Sequence, residues 1–187
     1  SLTFVEEIWA RNLGQLFISP LRPTEMIAAL MIISFVRTII SVTPAAFLAL
    51  PFFDVWVFDL GIALAAFFFN LMAMGWAVGL VVSGLILRFG LGAESLCWLA
   101  IFLIAPITGI YYPVKVLPDC LEPFDWILPS TYIFEGMRAV LFNKIFNWNL
   151  FFGAVGFNLV YLFIGIGIFL RMFHVARVQG KLLQQGE

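Results

Sequence analysis

The run LGIALAAFFFNLMAMGWAVGLVVSGLIL, Leu60–Leu87, holds no charged residue and one amide, Asn70. Asp59 precedes it and Arg88 follows it. A helix needs about 20 apolar residues to cross about 30 Å of hydrocarbon, at 1.5 Å per residue. Three further runs approach or reach that length. Met26–Phe53 is broken only by Arg37, and Ser95–Val114 and Ile145–Leu170 carry no charge. The pattern predicts an all-α membrane protein with four transmembrane helices, near 26–50, 58–86, 94–112 and 150–171. Residues 1–187 then form a single transmembrane domain.

Composition agrees. Hydrophobic residues make up 63% of the 187 residues and charged ones 11%, against about 45–50% and about 25% in soluble domains. Such a chain cannot cover its surface with polar groups, so lipid must solvate most of it. Ten Lys and Arg against eleven Asp and Glu give a net charge of -1, which offers no basic field for nucleic acid. Cys97 and Cys120 make neither a disulfide scaffold nor a metal cluster. The chain opens on Ser1 without a basic, cleavable leader, and an N-terminal part is expected to precede it.

Lys and Arg set the orientation. Four spans put both termini on one side, with Arg11, Arg22, Arg88, Arg171, Arg177 and Lys181. Lys115, Arg138 and Lys144 fall on the other. The termini are therefore assigned to the cytoplasm. The first turn is marked by Pro51, and the second, Arg88 to Glu94, is glycine-rich. The third connection, 113–149, is long, apolar and punctuated by Pro113, Pro118, Pro123 and Pro129. It predicts two short extracytoplasmic re-entrant helices. Pro123 would open the first and Pro129 end it, with Ser130 or Thr131 capping the second. Irregular backbone at membrane depth lines protein or a watery cavity; a plain outer cap is the alternative.

Before the first span, Leu2, Val5, Trp9, Leu13 and Leu16 recur at helical spacing, opposite Glu7, Arg11 and Gln15. Ser19-Pro20-Leu21-Arg22-Pro23 stops this helix and Thr24 can cap the next. The segment either anchors at the interface or docks a cytoplasmic partner.

Polar residues inside the spans are few. Arg37 lines a pathway, or it snorkels to the interface, or the first span starts later than 26. Asn70 and Asn158 suit interhelical hydrogen bonds, and Gly75, Gly79 and Ser83 form a small-residue ladder for helix packing. Thr108, Tyr111 and Tyr112 either meet a substrate or form an interfacial belt. Asp119, Glu122 and Asp125 read as a solvated acidic loop. There is no G-x-x-x-x-G-K-[ST], H-E-x-x-H or G-x-S-x-G, so neither ATP binding by a P-loop nor catalysis is expected in this chain.

Two stretches resemble a known family. Glu6-Glu7-Ile8-Trp9-Ala10-Arg11-Asn12-Leu13-Gly14-Gln15-Leu16-Phe17-Ile18-Ser19-Pro20-Leu21-Arg22-Pro23-Thr24-Glu25 resembles the coupling-helix region of ABC-2 type transporter permeases. Leu128-Pro129-Ser130-Thr131-Tyr132-Ile133-Phe134-Glu135-Gly136-Met137-Arg138 resembles the family's "Pro, x, x, Tyr, then Gly-x-Arg" stretch before the last span. The resemblance implies that 1–20 is a cytoplasmic coupling helix and that the four spans are the third to sixth of six. It implies a permease dimer with two ATPase subunits, which would bind the ATP and Mg; no cofactor is implied in this chain. Glu6, Glu7, Arg11 and Asn12 would touch the ATPase, and Arg88 to Glu94 would be a second contact. Pro129, Tyr132 and Arg138 would gate the exit of a polysaccharide, lipid-linked glycan or drug from a bacterial inner membrane. The alternative is a non-transporting structural subunit of a larger membrane complex.

Overall fold

The computed structural model describes residues 23–53, 61–90, 92–105, 108, 110 and 125–179. The described residues contain α-helices and no strand: α1 Pro23–Phe53, α2 Gly61–Phe89, α3 Gly92–Ile104, α4 Pro129–Asn143 and α5 Trp148–Val178. Three are long and apolar enough to cross a membrane: α1 over Pro23–Ala49, α2 over its whole length and α5 over its whole length. The protein is an integral membrane protein on that ground. The expected coupling helix, 1–20, lies outside the described residues, as does most of 106–124.

Each helix starts and stops for a local reason. Pro23 supplies a fixed φ where a missing N–H costs nothing. Glu25 stands in the first turn of α1, where a negative charge meets the positive end of the helix dipole. Thr24, expected as the cap, instead lies inside that turn. Pro44 and Pro51 are both inside α1. Pro51 therefore does not mark the turn; so near the end of the helix its missing N–H removes only one hydrogen bond of the last turn. Gly90 ends α2 with φ of 77°, and its N–H donates to the Ile86 carbonyl at 2.8 Å. Only glycine adopts that left-handed stop at no steric cost. Asn147 caps α5: its Oδ1 accepts from the Asn149 and Leu150 N–H groups at 3.1 and 3.5 Å.

Two sequence expectations need correction. The stretch 94–112 is not a helix throughout. Its helical part, α3, has 13 residues, about 20 Å of rise, which is short of the hydrocarbon thickness. Past Ala105 the chain turns, with the Thr108 N–H and hydroxyl both donating to the Ala105 carbonyl at 3.3 and 2.6 Å. Pro106 in the sequence has no N–H to continue the ladder and biases Ala105 away from α geometry. The second correction concerns Pro129, which opens α4 rather than ending a helix. Leu128, before the proline, is extended (φ -84°, ψ 127°) and serves as N-cap with no side-chain cap bond. Ser130 and Thr131 lie inside the helix and do not cap it.

The chain divides into two compact units. The first holds described residues up to Ile39, Trp76–Leu99 and those from Leu162 onward. Its core joins Met26, Ile27, Leu80, Ile86, Leu87, Ala93, Phe169, Phe173 and Ala176. Helices α2 and α5 approach closely there. A Cβ added to Gly165 would sit 2.8 Å from the Ala77 carbonyl oxygen, and one at Gly84 would sit 3.2 Å from the Phe169 Cα. Trp76 Nε1 donates to Ser34 Oγ at 2.8 Å, and Ser34 Oγ donates to the Met31 carbonyl at 3.0 Å.

The second unit holds Ile40–Gly75 and Ala100–Tyr161. Its core is built on Phe67, Ile133 and Ala154, with Tyr132, Met137, Val140, Phe146 and Phe151 packed around. Gly136 admits the Phe67 ring, whose Cε1 and Cζ lie 2.7 Å from where a Cβ would stand.

Gly165→Ala is expected to destabilise the protein by about 1–3 kcal/mol through overpacking. Gly167→Ala, with open space at its Cβ, should leave stability unchanged or raise it by up to about 1 kcal/mol. Thermal unfolding of both variants in the same detergent checks the pair.

Candidate functional site

In hydrocarbon, polar side chains are few and each needs a reason. Arg37 is exposed on α1, fourteen positions beyond Pro23, and so deep within the Pro23–Ala49 span. A charge at the centre of a span costs about 2.5–3.5 kcal/mol on insertion scales. Beside it on the helix, Ser34 and Thr38 are half-buried, as is Met31 one turn before Ser34. Thr38 Oγ1 donates to the Ser34 carbonyl at 2.8 Å.

Asn70 on α2 and Asn158 on α5 are both buried, 7% and 3% exposed. The Asn158 Nδ2 donates to the Asn70 carbonyl at 2.9 Å and to the Asn70 Oδ1 at 3.1 Å. The Asn70 Nδ2 donates to the Ala66 carbonyl at 3.0 Å. The chain of donors fixes both amide orientations, because reversing either would face oxygen with oxygen. The Asn158 Oδ1 has no donor among the described residues, and its desolvation offsets part of what the pair contributes.

Of the residues read as a small-residue ladder, Gly79 and Ser83 are buried and Gly75 is exposed. No atom lies within 4 Å of a Cβ at Gly75. The tight approach falls one position along, at Gly84, and at Gly165 on α5. Glycine content alone does not reveal which face of a helix meets a neighbour.

The expected gate residues share α4 but not one environment. Pro129 is buried at the first helical position. Tyr132 packs between the Trp126 and Phe157 rings, at centroid distances of 5.1 and 5.4 Å, and Gly153 leaves room for it. Arg138 pairs with Glu135 at 2.8 Å, i to i+3, and its Nη2 donates to the Ile110 carbonyl at 3.4 Å. Such a pair is worth about 0.3–0.5 kcal/mol where water reaches it. Thr108 is buried and its hydroxyl is spent on Ala105. Tyr111 and Tyr112 lie outside the described residues.

Arg88 reaches the Met172 sulfur at 3.6 Å and stands 5.1 Å over the Phe89 ring. Glu94 lies in the first turn of α3. Glu6, Glu7, Arg11 and Asn12 lie outside the described residues.

Asp125 does not fit the acidic-loop reading. It is 0% exposed, and the Thr131 Oγ1 lies 2.7 Å from its carbonyl oxygen and 2.6 Å from its Oδ1. The contact folds the segment before α4 onto the first turn of that helix. It also places a carboxylate at the positive end of the α4 dipole. Asp119 and Glu122 lie outside the described residues. No group of three metal-ligating side chains occurs among the described residues.

A ring cluster surrounds the turn between α4 and α5. Phe146 meets Trp148 at 4.9 Å, Phe67 at 5.6 Å and Phe151 at 5.6 Å. Trp148 and Phe152 stack at 5.8 Å and both are exposed, together with Phe142 and Ile145. Exposed aromatics of this kind suit a membrane interface. Compared with family models, curated proteins and solved structures, the chain matches none.

The Asn70–Asn158 contact yields a measurable coupling. A double-mutant cycle with Asn70→Ala and Asn158→Ala should give an interaction of about 0.6 kcal/mol, and no more than about 1.7 kcal/mol. Reversible unfolding in mixed micelles reads it; additive single-variant effects would show that the contact carries no net stability.

Proposed function

We propose that this chain is the membrane-spanning permease subunit of an ATP-driven ABC-2 type exporter. One observation carries the reading. The two motif stretches stand in the family's order around a block of membrane-length helices. The first, ending at Glu25, leads directly into α1. The second spans the start of α4, immediately before α5. In this reading Glu6, Glu7, Arg11 and Asn12 seat in a cytoplasmic ATPase, and Arg88 with Glu94 forms a smaller contact at the turn between α2 and α3. ATP and Mg bind in that partner. The permease pairs with a second copy in a bacterial inner membrane, with the N-terminal segment and the turn between α2 and α3 on the cytoplasmic side.

Mechanically, closure of the ATPases moves the N-terminal segment. The Pro20 and Pro23 turn passes the motion to α1, because proline fixes φ and stiffens the joint. A polar or amphiphilic substrate, such as a polysaccharide, lipid-linked glycan or drug, then leaves past Pro129, Tyr132 and Arg138. The Tyr132 ring is held by Trp126 and Phe157, so a gate there moves as a packed aromatic unit rather than as one side chain.

A second reading, a non-transporting subunit of a larger membrane complex, is favoured by α1. Only 11% of its membrane window is buried within the chain, which leaves a large face for other subunits.

Charge reversal tests the choice. With the permease and its ATPase reconstituted together, Glu7→Lys or Arg11→Glu should lower transport-coupled ATP hydrolysis at least about tenfold, the loss of about 1.4 kcal/mol of coupling. The double reversal should recover part of it through the i, i+4 pair. Unchanged coupling in both single variants would favour the structural-subunit reading.

A further inference from the structure

We infer that the turn before α4 lines a water-filled crevice reaching the middle of the membrane. Helix α4 runs back along α5, and three contacts give the register. The Leu150 Cβ stands 3.8 Å from where a Cβ on Gly136 would be. Tyr132 packs on Gly153 and on the Phe157 ring. Just before α4, the Tyr161 hydroxyl donates to the Ile127 carbonyl at 3.4 Å. Each step back toward Ile127 is therefore a step further along α5.

Depth follows from that register. Residues 148–170 of α5 carry no charge, and Lys144 and Arg171 flank them. Tyr161 stands thirteen positions past Trp148, about 20 Å along the axis. It stands ten positions before Arg171, about 15 Å. Half of the hydrocarbon thickness is about 15 Å, so the turn at Ile127 is held near mid-depth. Irregular backbone does not face lipid at that depth; it faces protein or water. Ile127 is 49% exposed, so the packing of the second unit does not enclose it.

The polar atoms at this level select water as the occupant. Ser130, in the first turn of α4, is 2% exposed, and its Oγ has no hydrogen-bond partner among the described residues. Asn158 precedes Tyr161 by three positions and so shares its side of α5. It is 3% exposed, and its Oδ1 has no partner among the described residues either. The Tyr161 oxygen can accept as well as donate. Water supplies donors and acceptors to all three oxygens. An apolar helix or a lipid chain in its place would leave them unpaired. This inference stands apart from the permease reading, because it needs neither an ATPase nor a substrate.

Spin labels on the full protein in lipid vesicles provide the test. In a Cys97→Ser, Cys120→Ser background, a nitroxide is attached at Ile127→Cys or, as the reference, at Phe163→Cys. Phe163 is 73% exposed, two positions past Tyr161 and on the other side of α5. A water-soluble nickel chelate should collide with the label at 127 at least about tenfold more often than with the label at 163, because hydrocarbon excludes polar solutes. Oxygen, which partitions into lipid, should favour 163. If Ile127→Cys loses helical circular dichroism, Tyr161→Cys carries the same expectation. A label at 127 that meets oxygen as often as the one at 163, with no excess of nickel collisions, would overturn the inference and set the turn against lipid. Few collisions with either reagent would overturn it too, assigning the face to protein.

Discussion

Helices dissolved in lipid gain nothing by hiding apolar side chains from a solvent that is itself apolar. What holds them together is close van der Waals approach and the few hydrogen bonds that would otherwise be lost. The contact of Gly165 with the Ala77 backbone shows the constraint at its tightest. At 2.8 Å from a virtual Cβ to the carbonyl oxygen, no larger residue fits without moving a helix. With Gly84 against Phe169, it places α5 on α2 and so fixes the core in which Leu80, Ile86, Phe169 and Phe173 meet. The Trp76 to Ser34 hydrogen bond attaches α1 to the same assembly by one polar contact.

The second unit solves the same problem with rings and amides. Gly136 and Gly153 give their missing side chains' space to Phe67 and Tyr132. The aromatic rings then fill the gaps in edge-on and tilted arrangements that their quadrupoles favour. Asn158 and Asn70 supply the polar lock. Short α4 cannot cross a bilayer on its own 15 residues. It is held by Thr131 on Asp125 at its start and by Lys144 in a left-handed turn at its end, where the Lys144 N–H returns to Val140 at 3.1 Å. A non-glycine residue at φ of 53° costs about 1 kcal/mol or more, so the turn into α5 is specified by its surroundings.

Hydropathy made the long helices legible because lipid leaves the backbone no option but helix over such lengths. The run Leu60–Leu87 appears as α2 to within two residues, and Ile145–Leu170 appears as α5, which continues eight residues further to Val178. The same logic overreached for 94–112, where apolar character continues but Thr108 and Ile110 are not helical, and a proline in sequence at 106 has no N–H to offer a helix. Composition outweighed backbone chemistry there. Pro129 was misread for a related reason: a proline both follows an extended residue and starts a helix, and only the extended Leu128 decides which. The Asn70–Asn158 contact was legible because amides in hydrocarbon must pair. The burial of Asp125 was not, since three acidic residues near prolines look like a wet loop until Thr131 is seen to fold back onto one of them.

Helix α1 brings these arguments to one place. Its packed side obeys the rules of the first unit, with Ser34 turned to Trp76. Its outward side is apolar at Ile33 and Val36. Lipid tolerates such a face indefinitely, so its exposure by itself names no partner. Arg37 stands three positions beyond Ser34, on the flank of the packed side rather than opposite it. An arginine at the centre of a span costs about 2.5–3.5 kcal/mol on insertion scales, so at that position it is tolerated only for what it contacts, and the packing of α1 is set by the hydroxyls and small side chains beside it.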